Sequence, residues 1–328
     1  MTAAFEVISP GIHTTVQDAG RIGFQDIGVP ASGPLDRISL RLANALVGNP
    51  PGTPALELLL AGPTLRVLAE SARIALVGSS ATIEIRTGDT PNFSGAKIVP
   101  AGRSVRVVRG EVFRIASLGE WRCACLAIEG GPAIAPVLGS ASTYVRGALG
   151  GLHGRALRAR DSLSLKLDAV AERDEAALAQ PLLPDFEQFI RVVLGPQADD
   201  FTHAAMQTLL SAEYSLSAQS DRMGYRLDGP ALAHAGGYNI VSDGIVTGSI
   251  QVPGSGQPII LMVDNQTTGG YPKIATVISA DIPLLGRRKP GRRIRFAAVD
   301  VNAAEALRRQ QEADIEHQCA RIFTMDHD

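Results

Sequence analysis

The chain has 328 residues, 45% of them hydrophobic and 20% charged, with a formal net charge of −2. That balance describes one or two globular domains with a sizeable core, and it excludes the broad basic field of a nucleic-acid-binding protein, although "RALRARD" and "GRRKPGRR" are local basic runs. No apolar run reaches membrane-spanning length, and the opening "MTAAFEVISPG" lacks the basic and apolar regions of a signal peptide. The expectation is therefore a cytoplasmic protein that contacts neither membrane nor nucleic acid.

In chain order, the first helical signal is "PLDRISLRLANALVGNP", where Leu35, Ile38, Leu42, Ala45 and Leu46 share one face. Pro34 stands near its start and Gly48-Asn49-Pro50 stops it. Strands then dominate: "TLRVLAE", "ARIALVG", "ATIEIRTG", "SVRVVRG" and "CLAIEGG" are short alternating or apolar runs between Pro and Gly turns. Residues 168–186, "DAVAERDEAALAQPLLPDF", are Ala-rich, charged and then Pro-broken, which predicts a linker. Beyond it come "FIRVVLG", a helical candidate in "ADDFTHAAMQTLLSA", and the strands "PIILMV" and "RIRFAAV". A last helix starts at Asn302, where "NAAE" resembles a capping box, and ends near Phe323. The predicted organisation is one domain over 1–180, a second over 187–300 and a helical tail over 301–328, mainly β with a few helices.

Three stretches recur in the same order in both halves. "GRIGFQDIGVP" parallels "DRMGYRLDGP", "ARIALVGSS" parallels "PIILMVDNQ", and "PAGRSVRVV" parallels "KPGRRIRFAAV". The register suggests a duplicated β-barrel unit.

Metal and nucleotide chemistry find little support. Cys123, Cys125 and Cys319 are too few and too poorly spaced for a disulfide framework or a zinc site, and the histidines are scattered, so no metal is expected. There is no Walker A loop, no Rossmann fingerprint and no nucleophile elbow.

Polar groups cluster elsewhere. "TTVQDAGRIGFQDIGVPASGPLD" carries Gln17, Asp18, Arg21, Ser32 and Asp36 among four glycines, although tight turns alone explain those glycines better than a ligand does. "GSASTYVRG" groups Ser140, Ser142, Thr143, Tyr144 and Arg146, as an anion-binding turn or a polar hairpin. The densest group is "DNQTTGGYPKIATV", residues 264–277, which follows the apolar "PIILMV". It presents Asp264, Gln266, Thr267, Thr268, Tyr271 and Lys273, a set that suits a small amide or carboxylate held by neutral hydrogen bonds and one cation. Asp264 and the threonines equally fit capping of backbone groups where the strand ends. Lys273 sits among apolar neighbours, and Gln251 and Gln257 on the preceding strand and turn offer further amide contacts. Arg287, Arg288, Lys289, Arg292 and Arg293 predict a solvated turn or a contact between subunits.

The ordered set "TTVQDAGRIGFQDIGVPASGPLD", "NPPGTPALELLLAGP", "GSASTYVRGALGG", "GPQADDF", "DRMGYRLDGP", "SDGIVTGSIQVPGSGQPIILMVDNQTTGGYPKIATVI" and "LLGRRKPGRRIRF" resembles the allophanate hydrolase subunit 2 family, also called KipA-like. That family includes the C subunit of 5-oxoprolinase and one half of the carboxyltransferase domain of urea carboxylase. The resemblance implies two tandem cyclophilin-like β-barrel domains, with the stretch around Gln266 at the edge of a cleft. It implies catalytic roles for Lys273, Asp264 and Arg222. It implies substrate contacts from Gln17, Asp18, Arg21, Ser142, Thr143, Tyr225, Gln251, Gln257, Gln266, Thr267, Thr268 and Tyr271. Two departures bear on substrate identity: "VGSS" at 77–80 stands where the family more often has Gly-Ala-Asp, and "GRRKPG" replaces a glutamine-containing run.

By that resemblance the chain acts in ATP-dependent opening of 5-oxoproline to glutamate, with a KipI-like B subunit and a LamB/YcsF-like A subunit, ATP being bound by the complex. One alternative is a biotin-dependent carboxyltransferase component acting on urea or a related amide. Biotin is not expected on this chain, which lacks the Met-Lys-Met acceptor. The other alternative is a non-catalytic regulatory partner of a KipI-like kinase inhibitor.

Overall fold

The structure, a computed structural model, describes residues 3–88, 92–183 and 185–325. The chain divides into two compact units: residues 1–21, 32–183 and 314–328 form unit 1, and residues 22–31 and 184–313 form unit 2. Each is built from separated segments, whereas the sequence predicts contiguous domains.

In unit 1 a six-stranded sheet runs in the order Ser162–Ser164, Ala3–Ser9, Thr64–Val67, Glu111–Arg114, Thr82–Thr87, Lys97–Pro100. A five-stranded sheet follows the order His13–Gln17, Ala55–Leu59, Cys123–Ile128, Ser71–Val77, Ser104–Val108. Strand Ser71–Val77 is buried along its whole length because both its faces are covered. Ile74 and Leu76 enter the main core with Phe5, Leu65 and Phe113, where Phe5 and Phe113 meet edge-to-face at 5.6 Å. Ala75 and Val77 face the other way, onto helix α1, Arg37–Leu46. Small residues on that face (Ala55, Ala75, Cys125, Ala127) let Ile38, Leu42 and Leu46 pack closely. α1 begins where the Asp36 carboxylate accepts from the N–H groups of Ile38 and Ser39, an N-cap worth about 1 kcal/mol.

The expected linker is partly a strand. Glu175–Ala177 pairs antiparallel with Phe323–Met325, and Glu175 meets Arg73, whose Nε lies 3.1 Å from it and whose Nη1 lies 2.7 Å from Glu129. Glu175, one of the charges that suggest a solvated segment, is thus a partner of a fully buried guanidinium.

Unit 2 is built on an eight-stranded sheet, in the order Arg293–Ile294, Tyr214–Leu216, Gly224–Asp228, Ile259–Leu261, Ser249–Gln251, Lys273–Val277, Ile190–Leu194, Phe296–Ala298. The two end strands are separated in the chain by Arg295 alone, so the sheet curls into a nearly closed barrel. Phe296–Ala298 joins parallel to Ile190–Leu194, and every other neighbour is antiparallel. Tyr214, Tyr225, Leu227, Ile250, Ile260, Ile274 and Phe296 are buried. Helix α2, His203–Ser211, starts at Thr202, whose hydroxyl accepts from the Ala205 N–H.

Helix α3, Ile282–Arg287, is too short for its period to show in the sequence. Helix α4, Val301–Ala320, begins one residue before Asn302, and Asp300 caps it by accepting from the Ala303 N–H at 2.8 Å. The basic run is only partly a solvated turn: Arg287 and Arg288 are buried, because α3 carries them into the barrel wall, while Arg293 is exposed. The fold class is the expected one, mainly β with a few helices in tandem cyclophilin-like barrel units. Among the described residues no helix is long and apolar enough to cross a membrane.

Candidate functional site

In unit 2, strand Ile259–Leu261 ends in a turn that Asn265 braces by donating to the Met262 carbonyl at 2.5 Å and to the Thr247 hydroxyl at 3.1 Å. Asp264 follows that strand and forms a two-point ion pair with Arg222, at 2.8 and 3.1 Å. Both residues are buried. The Asp264 N–H also donates to the Arg222 carbonyl at 2.9 Å, so this pair pins the turn to the neighbouring segment.

Lys273 opens strand Lys273–Val277, opposite a register irregularity between Ile250 and Gln251. Its Nζ is 2.5 Å from Asp243 Oδ2, the lysine side chain being 5% exposed and the aspartate 52%. The Lys273 N–H donates to Gln197 Oε1 at 3.2 Å, and Gln197 Nε2 reaches the same Asp243 oxygen at 3.4 Å. The hydrogen bond from Lys273 holds the Asp243 carboxyl below the usual carboxylate range, helped by the Gly244 N–H. Asp243–Gly244 pairs in turn with Thr268–Gly269, and the Ile245 N–H donates to the Thr267 carbonyl at 3.0 Å. Beside this group Gln251 Nε2 donates to the Tyr271 carbonyl at 3.2 Å, and Gln251 Oε1 accepts from Gln266 Nε2 at 3.4 Å. Gln266, Thr268 and Tyr271 are exposed.

The structure thus brings Gln251 opposite Lys273 in the sheet, ties Gln266 and Tyr271 to Gln251, and joins Thr267 and Thr268 to the 243–245 segment whose Asp243 meets the Lys273 ammonium. It adds Asp243 and Gln197, which sequence reasoning missed although both stand in stretches that carry the family resemblance. Arg222 and Asp264 pair with each other and not with Lys273. Tyr225 is fully buried on strand Gly224–Asp228, and Gln257 donates to the Gly229 carbonyl at 3.1 Å.

In unit 1 the two glycine- and serine-rich stretches turn out to be one assembly. Asp18 accepts from the Ser140 hydroxyl at 2.5 Å, the Ser142 hydroxyl at 2.6 Å, the Ala141 N–H at 2.6 Å and the Gly20 N–H at 3.0 Å. Burial works to raise its pKa, but these four donors outweigh burial and hold the carboxyl below the usual range. Arg21, fully buried, donates to the carbonyls of Val137 and Ser142 at 2.9 Å each. Thr143 donates to the Val16 carbonyl at 2.9 Å, and Gln17 Nε2 to the Thr143 carbonyl at 3.1 Å. Gln17 Oε1 is buried with no hydrogen bond among the described residues. Most of these groups bond to one another, which makes the assembly a clasp between the strand His13–Gln17 and the 137–143 segment.

The two mainly β barrel units are those of a carboxyltransferase-type domain. The chain belongs to the family "Carboxyltransferase domain, subdomain A and B", whose sequence profile matches residues 27–298. It is 36% identical over 320 residues to the 5-oxoprolinase C subunit of Escherichia coli K12, covering 97% of this chain and 98% of that protein. It is 34% identical over 336 residues to urea amidolyase of Lachancea kluyveri, covering 95% of this chain but 18% of that protein. Its fold superposes on the Kluyveromyces lactis urea carboxylase crystal structure with a TM-score of 0.85 at 28% identity, over 99% of this chain and 31% of that one. The family read from the motifs is borne out.

Proposed function

We propose that the chain is the C-type component of an ATP-dependent 5-oxoprolinase, opening 5-oxoproline to glutamate in a complex with subunits of the A and B types. The observation that carries this reading is the end-to-end match to the 5-oxoprolinase C subunit, in contrast to urea amidolyase, of which the chain matches a small part. The Lys273 group supplies fitting chemistry. A lactam offers a carbonyl oxygen, an N–H and a carboxylate, and the group offers one ammonium, the amides of Gln251 and Gln266, and the exposed hydroxyls of Thr268 and Tyr271. Negative charge growing on the carbonyl oxygen would be met by Lys273, with Asp243 displaced towards solvent. One ammonium countered by a carboxylate does not fit a triphosphate, so ATP is assigned to the complex and no step on this chain runs through it.

Carboxyl transfer to a urea-type nitrogen is the second reading, favoured by the close superposition on urea carboxylase. The ammonium would then steady the carboxylate being moved. Reconstitution with the A- and B-type subunits separates the two: glutamate formed from 5-oxoproline with ATP consumption is the expected result. Consumption that requires a carboxylated biotin carrier and urea, with none driven by 5-oxoproline, would overturn the first reading.

A further inference from the structure

The basic run in unit 2 forms a concave surface of its own. After α3, Lys289-Pro290-Gly291-Arg292 makes a turn closed by the Arg292 N–H on the Lys289 carbonyl at 3.1 Å, with Gly291 at φ +82°. Proline followed by a glycine at positive φ is the combination a type II turn requires. The turn returns the chain as strand Arg293–Ile294 against Tyr214–Leu216. It leaves a cavity of about 330 Å³ lined by Arg288, Arg292, Arg293 and Arg295, together with Glu187, Glu213 and the ring of Phe186. Glu213 is engaged by Arg293 at 2.9 Å, and Arg292 lies over the Phe186 ring, 5.4 Å from its centroid. The lining itself carries four guanidiniums and two carboxylates, and Asp185 and Asp281 act on Arg288 in addition.

Arg288 is the unusual member. It is fully buried, and among the described residues its hydrogen bonds go to neutral carbonyls, Nη1 to Arg293 at 3.1 Å and Nη2 to Gln188 at 2.8 Å. A guanidinium has five N–H groups. Nε is buried with no partner among the described residues. Burial pushes the guanidinium down to about 10 even though Asp185, Asp281 and Glu187 act to raise it. A buried cation with spare donors and neutral partners is costly unless an anion completes it.

We propose that this pocket binds an oxyanion, the carboxylate or phosphate of a small solute, which Arg288 meets from the wall while Arg292 and Arg295 close over it from the rim. Planar guanidiniums favour such two-point contacts. The cavity volume stands at the lower end of small-molecule sites, so the occupant is small.

Calorimetric titration of the full chain at low ionic strength, with inorganic phosphate in one arm and succinate in the other, tests this. Saturable binding of at least one, with a Kd of about 1 mM or tighter, is expected. Binding of phosphate alone or of succinate alone assigns the source, and binding of both supports a general oxyanion site. Arg288→Met should abolish binding. Should that variant fail to fold, Arg292→Gln combined with Arg295→Gln, which changes only the rim, should weaken binding by about tenfold or more. Arg309→Gln on α4 should change nothing. Absence of saturation by either anion, or rim-variant binding equal to the parent's, would overturn the proposal.

Discussion

Lys273 and Asp243 meet at 2.5 Å, the ammonium from inside the barrel wall and the carboxylate from its exposed side. Lys273→Met keeps most of the apolar stem and removes the charge. Turnover in the reconstituted complex should fall by about tenfold to a thousandfold, with a Tm close to the parent's, because the partner that loses its bond is already in water. The Asp243 carboxyl, held below its ordinary 3.8 by this lysine, should titrate nearer that value in the variant, as read by carbon NMR. Its depressed pKa stabilises the fold above the ordinary value, and that contribution is lost as pH falls through the folded one. A variant that melts far lower yet keeps turnover per folded molecule would make Lys273 structural.

Asp264 behaves differently. Its carboxylate is the counter-ion of buried Arg222, so Asp264→Asn takes the negative charge of that two-point pair away from a guanidinium inside the protein. Urea unfolding should show a loss of about 3–5 kcal/mol. Unchanged stability with lost turnover would return Asp264 to the chemistry.

The clasp around Asp18 should be visible in acid. Because its folded pKa lies below the ordinary 3.8, its stabilising contribution is present above that value and disappears as pH falls through the folded one. Asp18→Asn, which cannot accept all four donors, should cost about 1–3 kcal/mol at neutral pH and flatten the acid limb of the stability profile. Gly150→Ala should damage the same clasp from outside: φ there is +64°, and a Cβ would fall 2.1 Å from the Ser142 carbonyl oxygen. Tm values of either variant equal to the parent's would show that the clasp contributes little.

Tyr214 sets an alkaline limit for unit 2. Burial raises its hydroxyl to about 12 from an ordinary 10.0. A raised folded pKa means that the stabilisation is complete below pH 10 and is lost as pH climbs through 12. Tyr214→Phe should remove that steep loss between pH 10 and 12 in denaturation followed by circular dichroism, and a profile identical to the parent's would refute the assignment.

Much of this protein is local in origin and therefore legible in its sequence. Alternation and turn residues mark strands such as Thr82–Thr87 and Ile190–Leu194, the apolar face from Ile38 to Leu46 marks α1, and the motif order marks the family. Crowding of polar residues after "PIILMV" points to the strand end where Lys273, Gln251 and Gln266 gather. Which charges pair is another matter, because Coulomb attraction acts through space between segments that the barrel brings together. Asp264 chooses Arg222, 42 residues away, and Lys273 chooses Asp243, 30 away, so the acid and the base of one motif serve different partners. The same holds for Arg73, which turns an apparent linker into a strand held by Glu175, and for Arg288, a residue that looks solvent-facing in a run of basic and turn residues but is buried by the path of α3. Composition and period describe each segment in isolation. Burial and ion pairing belong to the assembled barrel, where the cost of desolvating a charge is set by whatever the rest of the chain places beside it.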